Sequence, residues 1–185
     1  MKTESKSEKK IDKSVKVKSG VNPMRKIFVE KVILSSGATG DDLVKAKKLL
    51  EIISSKKAQV IASNKRIPDF DVRPGLEVGT RITLRKKSAV AILNRLLGAI
   101  DNKLKAKQIS DNHFSFGIKE YIEIPGIEYQ RDIGIRGLNV TVVFARAGLR
   151  VQRKKVKVGH VPHRQQVTKN DIIKFMEEVY KTKAI

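Results

Sequence analysis

The chain has 185 residues, of which 40 are Lys or Arg against 19 Asp or Glu, a formal net charge of +21. That length holds a domain with a real core plus tails, and so large an excess of one sign implies a polyanionic partner, either nucleic acid or an anionic membrane surface. The absence of cysteine excludes disulfides and a zinc ribbon, no apolar run approaches the roughly 20 residues of a membrane span, and aromatics at 5% without Trp favour binding through phosphates and shape over base stacking.

Residues 1–22 are rich in Lys, Ser and Glu with almost no large apolar side chains, which predicts a disordered basic tail, an arm that orders on RNA. It has no apolar core of the kind a secretory signal needs. Asn22-Pro23 marks the start of the fold, and residues 23–185 read as a single domain. Ile27 to Leu34 is rich in Ile, Val and Phe and predicts a first strand. Ser36 to Gly40 reads as a turn, with Asp41-Asp42 as N-cap residues of a helix reaching about Ile53. Leu43, Ala46, Leu50 and Ile53, with Leu49 beside them, form its buried stripe. The glycine turn opening a helix is not a phosphate loop: no Gly-Lys-Ser/Thr follows, and two acidic residues stand where an anion would dock.

Val60-Ile61-Ala62 reads as a short strand, and Ser63-Asn64-Lys65-Arg66-Ile67-Pro68 as a basic exposed loop. Phe70 to Arg85 is expected to form a hairpin, a short strand turning at Pro74-Gly75 into a longer strand from Val78. The second strand alternates: Val78, Thr80, Ile82 and Leu84 on one side, Gly79, Arg81, Thr83 and Arg85 on the other. A face of glycine, arginine and threonine suits a polyanion while the apolar face rests on helices. Arg85-Lys86-Lys87 leads to Ser88 as the expected N-cap of a second helix, with Val90, Leu93, Leu97 and Ile100 on its inner face. Phe114, Phe116 and Ile118 alternate with Ser115, Gly117 and Lys119. Leu138, Val140, Val142 and Phe144 point inward from another strand, Asn139 and Thr141 outward. Arg146, Arg150, Arg153, Lys154, Lys155, Lys157 and Arg164 then form a run of positive charge without an acid. Thr168-Lys-Asn-Asp171 resembles a capping box with Asp in place of Glu or Gln, and opens a last helix bearing Ile172, Met176 and Val179. The fold class is α+β, an antiparallel sheet with helices packed on one face.

Catalytic chemistry is not expected. His160 and His163 lack a nearby carboxylate or thiolate and sit in a basic loop that repels cations, so no metal and no cofactor are anticipated. Glu120, Glu123 and Glu128 are read as solvated surface. None of the helices is basic on one side and strongly apolar on the other, which argues against a membrane-surface protein.

The segment Phe70-Asp-Val-Arg-Pro-Gly-Leu-Glu-Val-Gly-Thr-Arg-Ile-Thr-Leu-Arg85 resembles the Phe-x-x-Arg-x-Gly-x-x-x-Gly-x-x-Val-Thr-Leu-Arg signature of the large-subunit ribosomal protein five family, which binds 5S ribosomal RNA. Asn112-His-Phe-Ser-Phe-Gly-Ile-Lys-Glu120 with Ile124-Pro125, and Ile133-Gly-Ile-Arg-Gly-Leu-Asn-Val-Thr-Val142, resemble two further family blocks in order and spacing. The resemblance covers about residues 23–180 and is to the archaeal and eukaryotic branch. It implies a cytoplasmic, ribosomal protein of the central protuberance, with 5S rRNA and large-subunit rRNA as partners. It also implies contact with the P-site tRNA and with small-subunit head proteins across an intersubunit bridge.

Residue by residue, the resemblance places Thr83 and Arg85 against 5S RNA, with Arg81 on the same face. Ser35 stands where the family usually has an RNA-facing asparagine. Lys56 or Lys57 falls near a family glutamine, with Gln59 close by. Lys86 and Lys87, and Arg153, Lys154 and Lys155 in the basic run, complete the expected rRNA contacts. Lys65 and Arg66 match the basic tip of the tRNA-facing loop, which includes Ser63 and Asn64. A nonspecific basic RNA-binding protein is the alternative.

Overall fold

The computed structural model describes residues 22–185. The basic tail expected over 1–22 therefore lies, apart from Asn22, outside the described residues. The Asn22 side chain accepts a hydrogen bond from the Met24 N–H at 3.0 Å and caps a short 3-10 turn, Pro23–Arg25.

Strand β1 (Ile27–Gly37) alternates large apolar residues with polar ones, so it can bury only one side. It occupies the middle of a six-stranded antiparallel sheet. The others are β2 (Gln59–Ala62), β3 (Glu77–Arg85), β5 (Ile109–Ser110), β6 (His113–Ile118) and β7 (Leu138–Arg146), in the order β2-β3-β1-β7-β6-β5. Strands β4 (Lys103–Leu104) and β8 (Lys183–Ala184) form a separate parallel pair. The register aligns Leu84, Val32, Val142 and Phe114 in one row of the sheet, and Ile82, Leu34, Val140 and Phe116 in the next. Those eight side chains are buried.

Helices cover that side. Helix α1 (Asp41–Ser54) buries Leu43, Ala46, Leu49, Leu50 and Ile53, the stripe expected from its spacing. Helix α2 (Lys86–Gly98) buries Ala89, Ile92, Leu93, Leu96 and Leu97. One turn, α3 (Arg150–Arg153), follows β7, and α4 (Lys169–Tyr180) buries Ile172 and Met176 while Phe175 meets Phe144 edge-on at 5.7 Å. The fold is therefore α+β with an antiparallel sheet, as the patterning predicts.

Several local expectations are corrected. Phe70 to Val72 is not the first strand of a hairpin. Pro68 presets a negative φ and opens a 3-10 turn through Phe70, and Asp71 sits at φ +51°, so extended backbone cannot continue. The partner of β3 on that side is β2, across the loop 63–76. The turn at Pro74-Gly75 does form: Leu76 N–H donates to Arg73 O at 3.1 Å with Gly75 at φ +86°. Ser36 and Gly37 belong to β1, paired with Thr80 and Gly79. Gly40, at φ +60°, is the N-cap of α1 in place of Asp41 or Asp42, whose carboxylates lie in the first turn where the helix dipole favours them. Ser88 lies inside α2, donating to Arg85 O at 2.9 Å, because the helix begins at Lys86. The inner face of α2 is rotated accordingly, leaving Val90 and Ile100 only partly buried. The capping box at Thr168 and Asp171 forms as expected.

Candidate nucleic-acid interface

Alternation along each strand sends every second side chain away from the helices, and the register lines these residues up in rows. One row reads Gln59, Arg81, Ser35, Asn139, Gly117 from β2 to β6; the next reads Thr83, Ile33, Thr141, Ser115; the next Arg85, Lys31, Val143, His113. At the other end Ile61, Gly79 and Gly37 stand together. Every one of these residues is exposed or half-buried, and none is acidic.

The polar groups of this face are partly organised. Arg81 Nε donates to Gln59 Oε1 at 3.3 Å, and the Ser115 and Thr141 hydroxyls bond to each other at 3.0 Å. Gly79 brings backbone close to backbone: a Cβ there would lie 3.3 Å from Ser36 O. Five of the residues picked from sequence, Ser35, Gln59, Arg81, Thr83 and Arg85, share the face. Sequence reasoning missed Lys31, Asn139, Thr141, Ser115 and His113 as site residues. The alternation already marked Asn139, Thr141 and Ser115 as outward, but only the register shows them beside Ser35 and Thr83. Asn139 stands next to Ser35 in its row and supplies an amide that the short Ser35 side chain lacks.

At the Arg85 end of β3 the face runs into the N-terminus of α2. Lys56, Thr83, Arg85, Lys86, Lys87 and Ser88 line a shallow depression of about 500 Å3. The first turn of α2 carries no acidic residue, and Lys56 Nζ donates to Ser88 Oγ at 3.2 Å. Cationic side chains and the positive end of the helix dipole act together there. Lys57 is exposed and does not line the depression.

A break in the β1–β7 register falls between Val29 and Lys31, and Glu30 sits within it. Its nearly buried carboxylate accepts a two-pronged hydrogen bond from Arg153, with Nη2 to Oε2 at 2.8 Å, and Arg85 Nη1 lies 3.7 Å away. The hydrogen bond from Arg153 holds the Glu30 carboxyl below the usual carboxylate range. It overcomes the opposing effect of burial, helped by the charges of Arg153, Lys31 and Arg85. Arg153 is thus tied to the sheet and not a free cation, while Lys154 and Lys155 are exposed and make no ion pair among the described residues. Arg146 serves the fold: it donates to Asp171 at 2.8 Å and to Arg164 O at 3.1 Å.

The loop after β2 lies at the opposite end of β3, about 27 Å from Arg85 for eight residue steps of extended chain. The Ser63 hydroxyl donates to Lys65 O at 2.8 Å, and its backbone bonds to Leu76 and Gly75 at 2.8 Å each. Asn64, Lys65 and Arg66 are exposed, and paired hydrogen bonds between Ile67 and Val72 close the loop beneath Phe70, which is 76% exposed. The His160 and His163 rings are 6.4 Å apart, and among the described residues no group of three or more His, Asp or Glu is placed to hold a metal ion. No helix of the described residues is long and apolar enough to cross a membrane.

Sheet and face together define a class, the α+β proteins that offer a broad, acid-free cationic sheet surface to a folded polyanion. Residues 77–175 match the C-terminal part of the ribosomal uL5 family. The large ribosomal subunit protein uL5 of Nanoarchaeum equitans is 41% identical over 160 residues, 85% of this chain and 95% of that protein. Those of Sulfurisphaera tokodaii and Pyrobaculum aerophilum are 37% and 38% identical, each over 85% of this chain and 92% and 90% of their own length. The chain belongs to this family of ribosomal proteins.

Proposed function

We propose that the protein is a structural constituent of the large subunit of the cytoplasmic ribosome and that its open sheet face binds 5S rRNA, with large-subunit rRNA engaging the adjoining basic segments. The observation that carries this reading is the set of rows on that face: Arg81, Arg85 and Lys31 interleaved with Ser35, Thr83, Asn139, Thr141 and Ser115, with no carboxylate among them. Guanidinium groups neutralise phosphates. Hydroxyls and amides reach ribose and base edges, and the glycines let a backbone approach closely. The loop Ser63 to Arg66, separated from the helical end by the length of β3, takes the elbow of the P-site tRNA. Other surface takes small-subunit head proteins across the intersubunit bridge.

The test is an RNA-binding titration at several salt concentrations. Replacing Arg81, Thr83 and Arg85 together by Ala weakens binding to isolated 5S RNA and lowers the salt slope by about 1.4–1.8, from roughly 0.7–0.9 for each of two arginines. The fold stays intact, since all three side chains are exposed. A normally folded triple variant that binds 5S RNA like the parent refutes the assignment of the face. Competition with random RNA separates this reading from nonspecific binding, which shows no preference for 5S. Arg66→Ala spares 5S binding and alters tRNA handling; a large loss of 5S affinity from that change alone would break the division of labour between loop and face.

A further inference from the structure

Beyond β7 the chain folds back so that α3 and the stretch to Val167 wall off a cavity of about 280 Å3 beside the end of the sheet. That is slightly under the usual range for drug-sized ligands, roughly 300–1,000 Å3, and suits a single ring system. Phe144, Val161 and Val167 give it an apolar floor, all buried. Its rim carries the amides of Gln152 and Gln166, whose side chains make no hydrogen bond among the described residues. The Glu30–Arg153 pair forms one wall. Arg146 also lines the cavity, and its Nε is buried without a hydrogen-bond partner. A buried unpartnered donor is costly, and an acceptor brought in by a ligand removes that cost. Val143, another lining residue, belongs to the open face in the row of Arg85, Lys31 and His113, so an RNA lying on that face passes beside the cavity.

We propose that this cavity receives one unstacked nucleobase of the bound RNA; the inference rests on the RNA-binding reading of the open face. A base edge carries donors and acceptors side by side, and a primary amide matches either. The apolar floor accepts the ring without an aromatic platform, consistent with a chain that has no Trp. A phosphate does not suit the same space, because the Glu30 carboxylate in the wall repels it. The exposed Lys154 and Lys155, next in the chain to Arg153, are left to hold the phosphates that flank the base. The open face thus supplies charge and position, while the cavity supplies discrimination between sequences.

The decisive variant is Gln152→Ala with Gln166→Ala in the full chain. Both residues are exposed, so the denaturation midpoint serves as a control for folding. Affinity for transcribed 5S RNA falls about tenfold at every salt concentration, as for the loss of two modest hydrogen bonds, with the salt slope and the affinity for random RNA unchanged. Chemical probing of base edges in the complex shows one nucleotide protected by the parent protein and reactive with the variant. A 5S affinity within twofold of the parent, an equal loss for random RNA, or identical protection patterns overturns the proposal. Titration with the four free ribonucleoside monophosphates separates the sources: micromolar binding of one of them would assign the cavity to a soluble nucleotide and overturn the assignment to RNA. If the Arg81, Thr83 and Arg85 triple variant weakens 5S binding but the glutamine variant does not, the cavity assignment fails alone. If neither does, the 5S reading fails with it.

Discussion

Thr80 and Thr83 are the same side chain on the same strand, three residues apart and facing opposite ways, and they separate the work of the two faces. Thr80 is 1% exposed, and its Oγ1 is buried without a hydrogen-bond partner between the paired strands of Ser36 and Val60. A hydroxyl buried and unsatisfied costs roughly 1–3 kcal/mol, and a methyl in its place gains on the order of 0.8 kcal/mol of apolar burial. Part of that gain is lost if the new methyl crowds its neighbours, so Thr80→Val is expected to raise stability by about 1–2 kcal/mol. For a chain of this size each kcal/mol raises Tm by roughly 2–4 °C. Urea denaturation reads the change as a higher midpoint at unchanged slope, and 5S RNA affinity stays at the parent value. Thr83→Val changes stability by no more than about 0.5 kcal/mol, as expected at an exposed strand position, but weakens 5S binding about fivefold through one lost hydroxyl contact. A Thr80→Val protein that is less stable, or a Thr83→Val protein that binds RNA unchanged, refutes this division of the strand into a structural and a binding side.

Acid should unfold the protein through identifiable groups. Burial pushes the Asp171 carboxyl up, but the Thr168 hydroxyl and N–H, with Arg146 and Lys174, hold it below its ordinary 3.8, and Glu30 is held below 4.5. A carboxyl whose pKa is lower in the folded state stabilises above the unfolded value and loses that contribution as pH falls through the folded one. Stability therefore drops from about pH 4.5 downward, and Glu30→Gln with Asp171→Asn, though less stable at neutral pH, gives a flatter acid limb in midpoints taken from pH 3 to 7; an equally steep limb counts against both pairs. At Gly137 an added Cβ would lie 2.8 Å from the carbonyl oxygens of both Ile118 and Lys119, so Gly137→Ala is expected to destabilise by about 1–3 kcal/mol in the same assay, and a neutral result means the backbone there yields freely. Phe70→Ser, by contrast, should leave the midpoint within about 0.5 kcal/mol, since the ring is already in solvent; a larger loss would show that it packs on the loop.

The sequence by itself determined which side of each strand is apolar, because alternation is local and has a period of two. Val32 and Leu34, Ile82 and Leu84, Phe114 and Phe116, and Val140 and Val142 could all be placed inward before any neighbour was known, and the Thr168–Asp171 cap was readable for the same reason. The family was legible in three ordered blocks. Helix ends were less so: Ser88 has the chemistry of a cap, but the register that ends β3 at Arg85 starts α2 two residues earlier. Only the tertiary structure set β1 between β3 and β7, and with it the rows that put Asn139 beside Ser35 and Lys31 beside Arg85. Strand order is fixed by packing between segments far apart in the chain, which no local pattern encodes. Glu30 and Arg153, 123 residues apart, are the clearest case: each looks like a solvated charge in its own neighbourhood, and they meet because the register breaks where the basic segment folds back.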